Sequence, residues 1–294
     1  MQGGERTVAT WRSWPSFHYP VVVVLAFALF AVLRRAGWSL TAATYVPVVV
    51  TALSVAALEA LYPASREWQP TADELRVDLA FVVLVQLVLP PLVALLFINL
   101  LVDPARAIGL PAASLWPHAW PVALQVLLMI CLVDLMRYWL HRLAHTTDLL
   151  WRLHAVHHSV DRLYWLNTSR FHPLEKSLQM CLDSLPFLLM QVEPAVLSLY
   201  YLSYAANGFF QHSNIQMRYG FLNLFVSSAE AHRWHHSREP HEANSNYGST
   251  TIIWDRLFGT FFLPRARAVG DLGLHDRSFP RAFWAQMRAP FRQR

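Results

Sequence analysis

Apolar residues in this chain fall into four long runs before position 141, and polar residues collect after it. Positions 20–33, 40–61, 77–102 and 116–140 are each dominated by Val, Leu, Ala and Phe. A helix needs roughly 20 such residues to cross the hydrocarbon core of a bilayer. The first run is short, but the aromatic flank at 17–19 and Trp38 extend it, with Arg34 and Arg35 placed to snorkel. Four membrane spans are therefore predicted within residues 1–140, joined by short loops. A further apolar stretch at 180–210 is interrupted by Asp183, Pro186, Glu193 and Pro194. It reads as a re-entrant or interfacial helical pair, with a fifth and sixth span as the competing reading.

Composition agrees: 55% apolar with 15% charged residues lies outside the usual soluble range. The N-terminal segment carries Arg6 and Arg12, and no small-residue cleavage site follows the first run, so it reads as a retained anchor. Cys131 and Cys181 both lie in apolar segments, which excludes a disulfide framework and leaves core thiols. Charge divides the chain. Seven Arg face eight acids before position 137, whereas sixteen Arg plus Lys176 face eleven acids from there on, and 264–294 forms a basic tail. The positive-inside rule then puts the basic half, and with four spans both termini, on the cytoplasmic side. No basic run of five exists, so nucleic acid is not expected; anionic lipid headgroups suit the basic surface better.

Twelve of the fourteen histidines follow residue 140. His141 and His145 are four apart, and His154, His157 and His158 stand at i, i+3, i+4, a spacing that His232, His235 and His236 repeat. No Gly or Pro lies between Pro121 and Pro173, so helices are expected there, with each set on one helix face. Neutral imidazole suits Zn, Cu, Fe and Ni. One metal uses three to six ligands, so eight convergent nitrogens favour two metals. A haem would need paired histidines at bilayer depth, whereas these sit at or beyond the end of the fourth run. A zinc protease would need His-Glu-x-x-His, but His241-Glu242 is followed by Ala243-Asn244-Ser245.

The ordered segments HRLAH (141–145), HAVHH (154–158), SRFHPLE (169–175), FQHSN (210–214), HRWHH (232–236) and NYGSTTIIWDRLFGTFF (246–262) resemble the fatty acid hydroxylase and sterol desaturase superfamily of membrane di-iron enzymes over residues 134–263. The resemblance implies a single all-α integral membrane domain of about four transmembrane helices under a cytosolic helical cap with a histidine-rich di-metal site. It implies two iron ions held by His141, His145, His154, His157, His158, His172, His212, His232, His235 and His236. Asn207 and Gln211 stand where the fatty acyl hydroxylase branch has histidine, and His241 falls in a variable spacer. A neutral imidazole shell calls for acids behind it to fix the ring tautomers. Asp134, seven residues before His141, and Asp255 are the leading candidates, with Glu175 and Glu230 also near the boxes. An ion pair with Arg137 is the other expectation for Asp134.

The activity implied is O2-dependent oxidation, by hydroxylation or desaturation, of an unactivated C–H bond in a membrane lipid. Tyr164, Trp165, Phe171, Tyr200, Tyr201, Phe209 and Phe210 would line its groove or serve as interface anchors. The chain holds neither a His-Pro-Gly-Gly segment nor a cysteine set for an iron–sulfur centre, so a separate cytochrome b5- or ferredoxin-like electron donor is expected. The competing class is a non-redox zinc site, in a membrane hydrolase or metal-handling protein.

Overall fold

The computed structural model describes residues 17–109 and 113–292. The Arg6 and Arg12 segment expected as an anchor lies outside the described residues. Four helices are long and apolar enough to cross a membrane: α1 (His18–Arg35), α2 (Leu40–Leu61), α3 (Ala72–Ala107) and α4 (Val122–Thr146). They coincide with the four apolar runs. Val24, Leu25, Leu53, Leu92, Leu95 and Leu100 point away from the protein interior, an arrangement stable against lipid but not against water. The chain is an integral membrane protein.

At 36 residues, α3 is longer than a bilayer requires. Its N-terminus is fixed by a capping box between Thr71 and Glu74, whose carboxylate accepts from the Thr71 N–H at 2.7 Å. Two π-helical stretches, Val82–Val88 and Ile98–Val102, lie just before Pro90–Pro91 and Pro104. A proline can neither donate to the ladder nor tolerate the carbonyl one turn back, and a widened turn relieves both. The first turns of α3 are polar and reach the cap. There the buried Asp78 carboxylate takes hydrogen bonds from the Arg170 guanidinium and the Tyr164 hydroxyl.

The cap begins with α5 (Asp148–His158), set against α4 after a one-residue break at Thr147. The stretch at 180–210 belongs to two helices, α6 (Pro173–Leu189) and α7 (Pro194–Gln211), which reverse at Gln191 with φ 57°. Neither is among the four candidate spans. Phe187, Val196 and Tyr200 of these helices and Val192 of the turn between them form one core cluster with Val126, Met129 and Val133 of α4 and Trp116 just before it. Short helices α8 (Ala229–His235), α9 (Pro240–Ala243), α10 (Ile253–Leu257) and α11 (Phe283–Arg288) complete the cap. The basic C-terminal segment folds back on it: Arg277 and Arg281 each reach Asp161 at 3.0 Å, and Phe283 meets Phe81 edge to face. Glu59, near the end of α2, ties span to cap by accepting from the N–H groups of Trp165 and Asn214, both at 2.7 Å.

One polar contact inside the bundle departs from expectation. Arg137 pairs not with Asp134 but with Asp183 of α6, Nε to Oδ1 at 2.7 Å with the second guanidinium nitrogen on Oδ2. A sequence separation of 46 residues hides this pairing from sequence periodicity.

Candidate metal centre

The histidines converge in two adjacent groups. His141, His145, His154, His158 and His235 form one, and His157, His212, His232 and His236 the other; within each group the candidate ligand atoms all lie within 4.8 Å of one another. The His-x-x-His-His boxes do not act as single faces. In each, the first and last histidines, one turn plus about 40° apart, serve one group, while the middle one, about 60° round the other way, serves the second. Thus α5 sends His154 and His158 to the first group and His157 to the second, whereas α8 and its C-cap send His232 and His236 to the second and His235 to the first. His141 and His145 come from the end of α4, and His212 from the C-cap of α7. The groups touch where His158 and His236 stack, ring centroids 4.5 Å apart.

Hydrogen bonds fix how the rings are held. Backbone carbonyls lie against Nδ1 of His141 (Tyr247, 2.8 Å), His157 (Arg170, 3.2 Å) and His235 (Ser245, 2.8 Å). A carbonyl only accepts, so these rings carry their proton on Nδ1 and direct a bare Nε2 lone pair inward. Side-chain oxygens of Asn244, Glu175 and Asn167 occupy the same position on His145, His154 and His212 at 3.1, 2.7 and 2.9 Å. The Nε2 atoms meet at 3.0 Å for His141 and His154, 3.1 Å for His158 and His235, and 2.9 Å for His212 and His232. Converging lone pairs repel unless a cation lies among them, so the donor set fits metal ions.

Burial, reinforced by neighbouring histidines, holds His154, His157, His158, His232, His235 and His236 well below the usual imidazole range. Burial alone brings His212 down to about 3. All therefore present neutral, coordinating rings at physiological pH. Burial also pushes the Glu175 carboxyl up to about 8, against the lowering effects of Arg137, Gln179 and Lys176. A cation on His154 Nε2 leaves the ring proton on Nδ1, with Glu175 as its acceptor.

His172 lies outside both groups. It caps α6, its Nδ1 accepting from the Leu174 N–H at 3.2 Å while Nε2 donates to the Met287 carbonyl at the same distance. The preceding segment does contribute, through the Arg170 carbonyl and Asn167. His241 is an exposed residue of α9.

The acids differ from expectation as well. Asp134 does not touch His141; its carboxylate accepts from the N–H groups of Thr250 and Thr251, the first at 2.9 Å. Asp255 accepts from the N–H groups of Tyr247 and Gly248 at 2.8 Å and from the Thr260 hydroxyl at 2.7 Å. Both clamp the loop at 246–251 that offers the Tyr247 carbonyl to His141, so they act on the ring through the backbone. Glu230 holds the turn at 219–223 through Tyr219 and Asn223. Asn207 and Gln211 tie α7 to the same clamped loop through Ser249 and Gly248 carbonyls. In the Asn-Tyr-Gly motif, Asn246 adopts φ 54°. A Cβ on Gly248 would stand 2.0 Å from the Thr251 carbonyl oxygen, so Gly248→Ala must displace the loop. That variant should lose metal content in elemental analysis. Gly259→Ala, with open space around it, should cost only about 1–2 kcal/mol for its left-handed backbone and keep the metal.

A small cavity of about 50 Å³ lies between the groups, walled by His141 and His154 of one, His157, His212 and His232 of the other, and polar residues of α4, α6 and α7.

Comparison with known proteins adds the lineage. The fatty acid hydroxylase family model matches residues 126–260. The ornithine lipid hydroxylase OlsE of Rhizobium tropici is 34% identical over 243 residues, 82% of this chain and 73% of that one. Alkylglycerol monooxygenase of Danio rerio is 34% identical over 146 residues, half of this chain and 31% of its own length. A very-long-chain aldehyde decarbonylase of Oryza sativa is 32% identical over 158 residues, 53% of this chain and 58% of that protein. No solved structure gives a significant match. With the family model matching across residues 126–260 and a 34% identical relative aligned over 82% of the chain, the chain belongs to the fatty acid hydroxylase family.

Proposed function

We propose that this protein is a membrane-bound, di-iron lipid hydroxylase. One observation carries the reading: two adjacent, neutral, all-histidine groups face a single cavity at the end of a membrane-spanning helix. Imidazole donors suit iron, and two irons would supply the activation of O2 that no side chain can provide. The balanced reaction is R–H + O2 + 2 electrons + 2 protons giving R–OH + H2O. The electrons come from a separate donor protein, of cytochrome b5 or ferredoxin type, at the cytoplasmic face, where both termini also lie. Relatives named as a hydroxylase and a monooxygenase favour oxygen insertion over desaturation, and their substrate names point to polar-headed membrane lipids. Nothing in the comparisons supports a zinc hydrolase.

The chain's own residues prepare the site. The Tyr247, Arg170 and Ser245 carbonyls hold three rings in one tautomer, and Glu175 does the same for His154. Arg137 of α4, Gln179 of α6 and Tyr204 of α7 line the cavity beside the rings with polar groups.

The test is mass spectrometry of total lipids from aerobic cells making the protein or its His235→Ala, His236→Ala variant. A lipid one oxygen heavier only with the intact protein is expected. A lipid lighter by two hydrogens would make the enzyme a desaturase, and no change with a competent electron donor present would overturn the oxidase reading.

A further inference from the structure

Gly208 stands inside α7, where a glycine is a cost. It weakens a helix relative to alanine, because it has more backbone freedom to lose and no side chain to pack. The usual compensations are a left-handed backbone or a neighbour too close for any side chain. Gly208 has neither. Its backbone is helical, and beyond its own stretch of helix a Cβ there would have one atom within 4 Å, the Thr168 Oγ1 at 3.4 Å, an ordinary contact distance.

What the missing side chain leaves open is the cavity shared by the histidine groups. Gly208 and Thr168 line it together with Tyr204 and histidines of both groups. On α7, Tyr201, Tyr204, Ala205 and Gly208, spaced i, i+3, i+4, i+7, are partly accessible, whereas Leu202, Ser203, Ala206 and Asn207 are buried. The accessible face is the one that brings Tyr204 and Gly208 to the cavity. A helix shows its main chain to a space only where a side chain is missing, so Gly208 makes a notch in the wall. No charged atom lies within 4 Å of the place a Cβ would take. An ionic headgroup would give up its water there without finding a partner. A methylene needs none, and a hydroxyl finds Thr168.

We propose that Gly208 is a specificity-determining residue: the notch it leaves beside the Thr168 hydroxyl receives an uncharged segment of the lipid in the cavity that the two histidine groups share. This rests on the lipid-oxidation reading and narrows it. Helix stability is given up at position 208 to make room for substrate, and the size of the residue there sets how bulky the seated segment can be.

The experiment follows oxidised lipid per mole of protein in total extracts of aerobic cells making the intact protein, Gly208→Ala, Gly208→Leu, or Gly208→Ala combined with Thr168→Ala. Each protein is also purified for its melting temperature and metal content. Gly208→Ala is expected to melt about 1–3 °C higher, through its better helix, and to keep its metal. Its product should fall roughly 10- to 200-fold, the range that one carbon commands in a binding pocket. Gly208→Leu should keep its metal and form no product. Adding Thr168→Ala to Gly208→Ala clears the other side of the notch and should restore most of the yield. A parental yield from Gly208→Leu, a lower melting temperature or lost metal in Gly208→Ala, or no recovery in the double variant would overturn the proposal and leave the oxidase reading standing. No oxidised lipid from the intact protein would overturn both.

Discussion

Replacing His235 and His236 together by alanine is expected to abolish lipid oxidation and to deplete the metal centre. The pair looks local in sequence but is divided in space: His235 meets His158 in one group, and His236 meets His157 and His232 in the other. Each group thus loses one inward nitrogen, and the remaining rings keep their outer hydrogen bonds. The chain should fold, and metal measured by elemental analysis should drop by at least half. Activity should fall a thousandfold or more, a barrier increase of about 4 kcal/mol. His172→Ala is the control: both of its ring nitrogens serve the α6 cap and Met287, so its metal content should match the parent. Metal lost from His172→Ala and retained in the double variant would refute the assignment of the groups.

The second large effect is on stability. Arg137 and Asp183 form a buried, two-point ion pair between α4 and α6, with side chains 5% and 2% exposed. Asp183→Asn strands a guanidinium in the bundle, which should cost about 3–5 kcal/mol. The melting temperature in detergent should fall by roughly 10 °C. Replacing both residues by leucine removes the stranded charge and should recover most of the loss, because the pair's own desolvation is also abolished. That double variant should still be inactive, since Arg137 forms part of the cavity wall and holds Gln179 and Tyr204. An unchanged melting temperature for Asp183→Asn would mean that the pair does not hold α4 to α6.

The elements that sequence revealed are those set by local composition. Four spans follow from run length alone, and His141, His145 and the two boxes follow from helical spacing. What sequence could not show depends on contacts across the fold. Periodicity put three box histidines on one face, but the 100° between i+3 and i+4 is enough to divide them between two groups. Asp134 shares a helix face with His141, yet the loop at 250–251 reaches its carboxylate first. His172 has the right residue type in the right motif, and its N-capping geometry turns the ring away. Asn167, Asn244 and the carbonyls of Arg170, Ser245 and Tyr247 carry no sequence signal, because any residue supplies a carbonyl and only the fold aims it.

The clamped loop also decides what can be cut from this protein. Trp254 of α10 donates to the Cys131 carbonyl, and Asp134 holds Thr250 and Thr251. Cys131 lies ten residues, about 15 Å of helix, before His141 on the way into the bilayer. The cap therefore descends alongside a spanning helix, and Ile253, Leu257 and Phe258 of that descent are exposed. Apolar side chains exposed beside a spanning helix suit lipid better than water. No water-soluble catalytic fragment can be excised at residue 140: the fragment would lose His141's helix together with the anchor of the loop that orients it, and would carry a bare greasy wedge in their place.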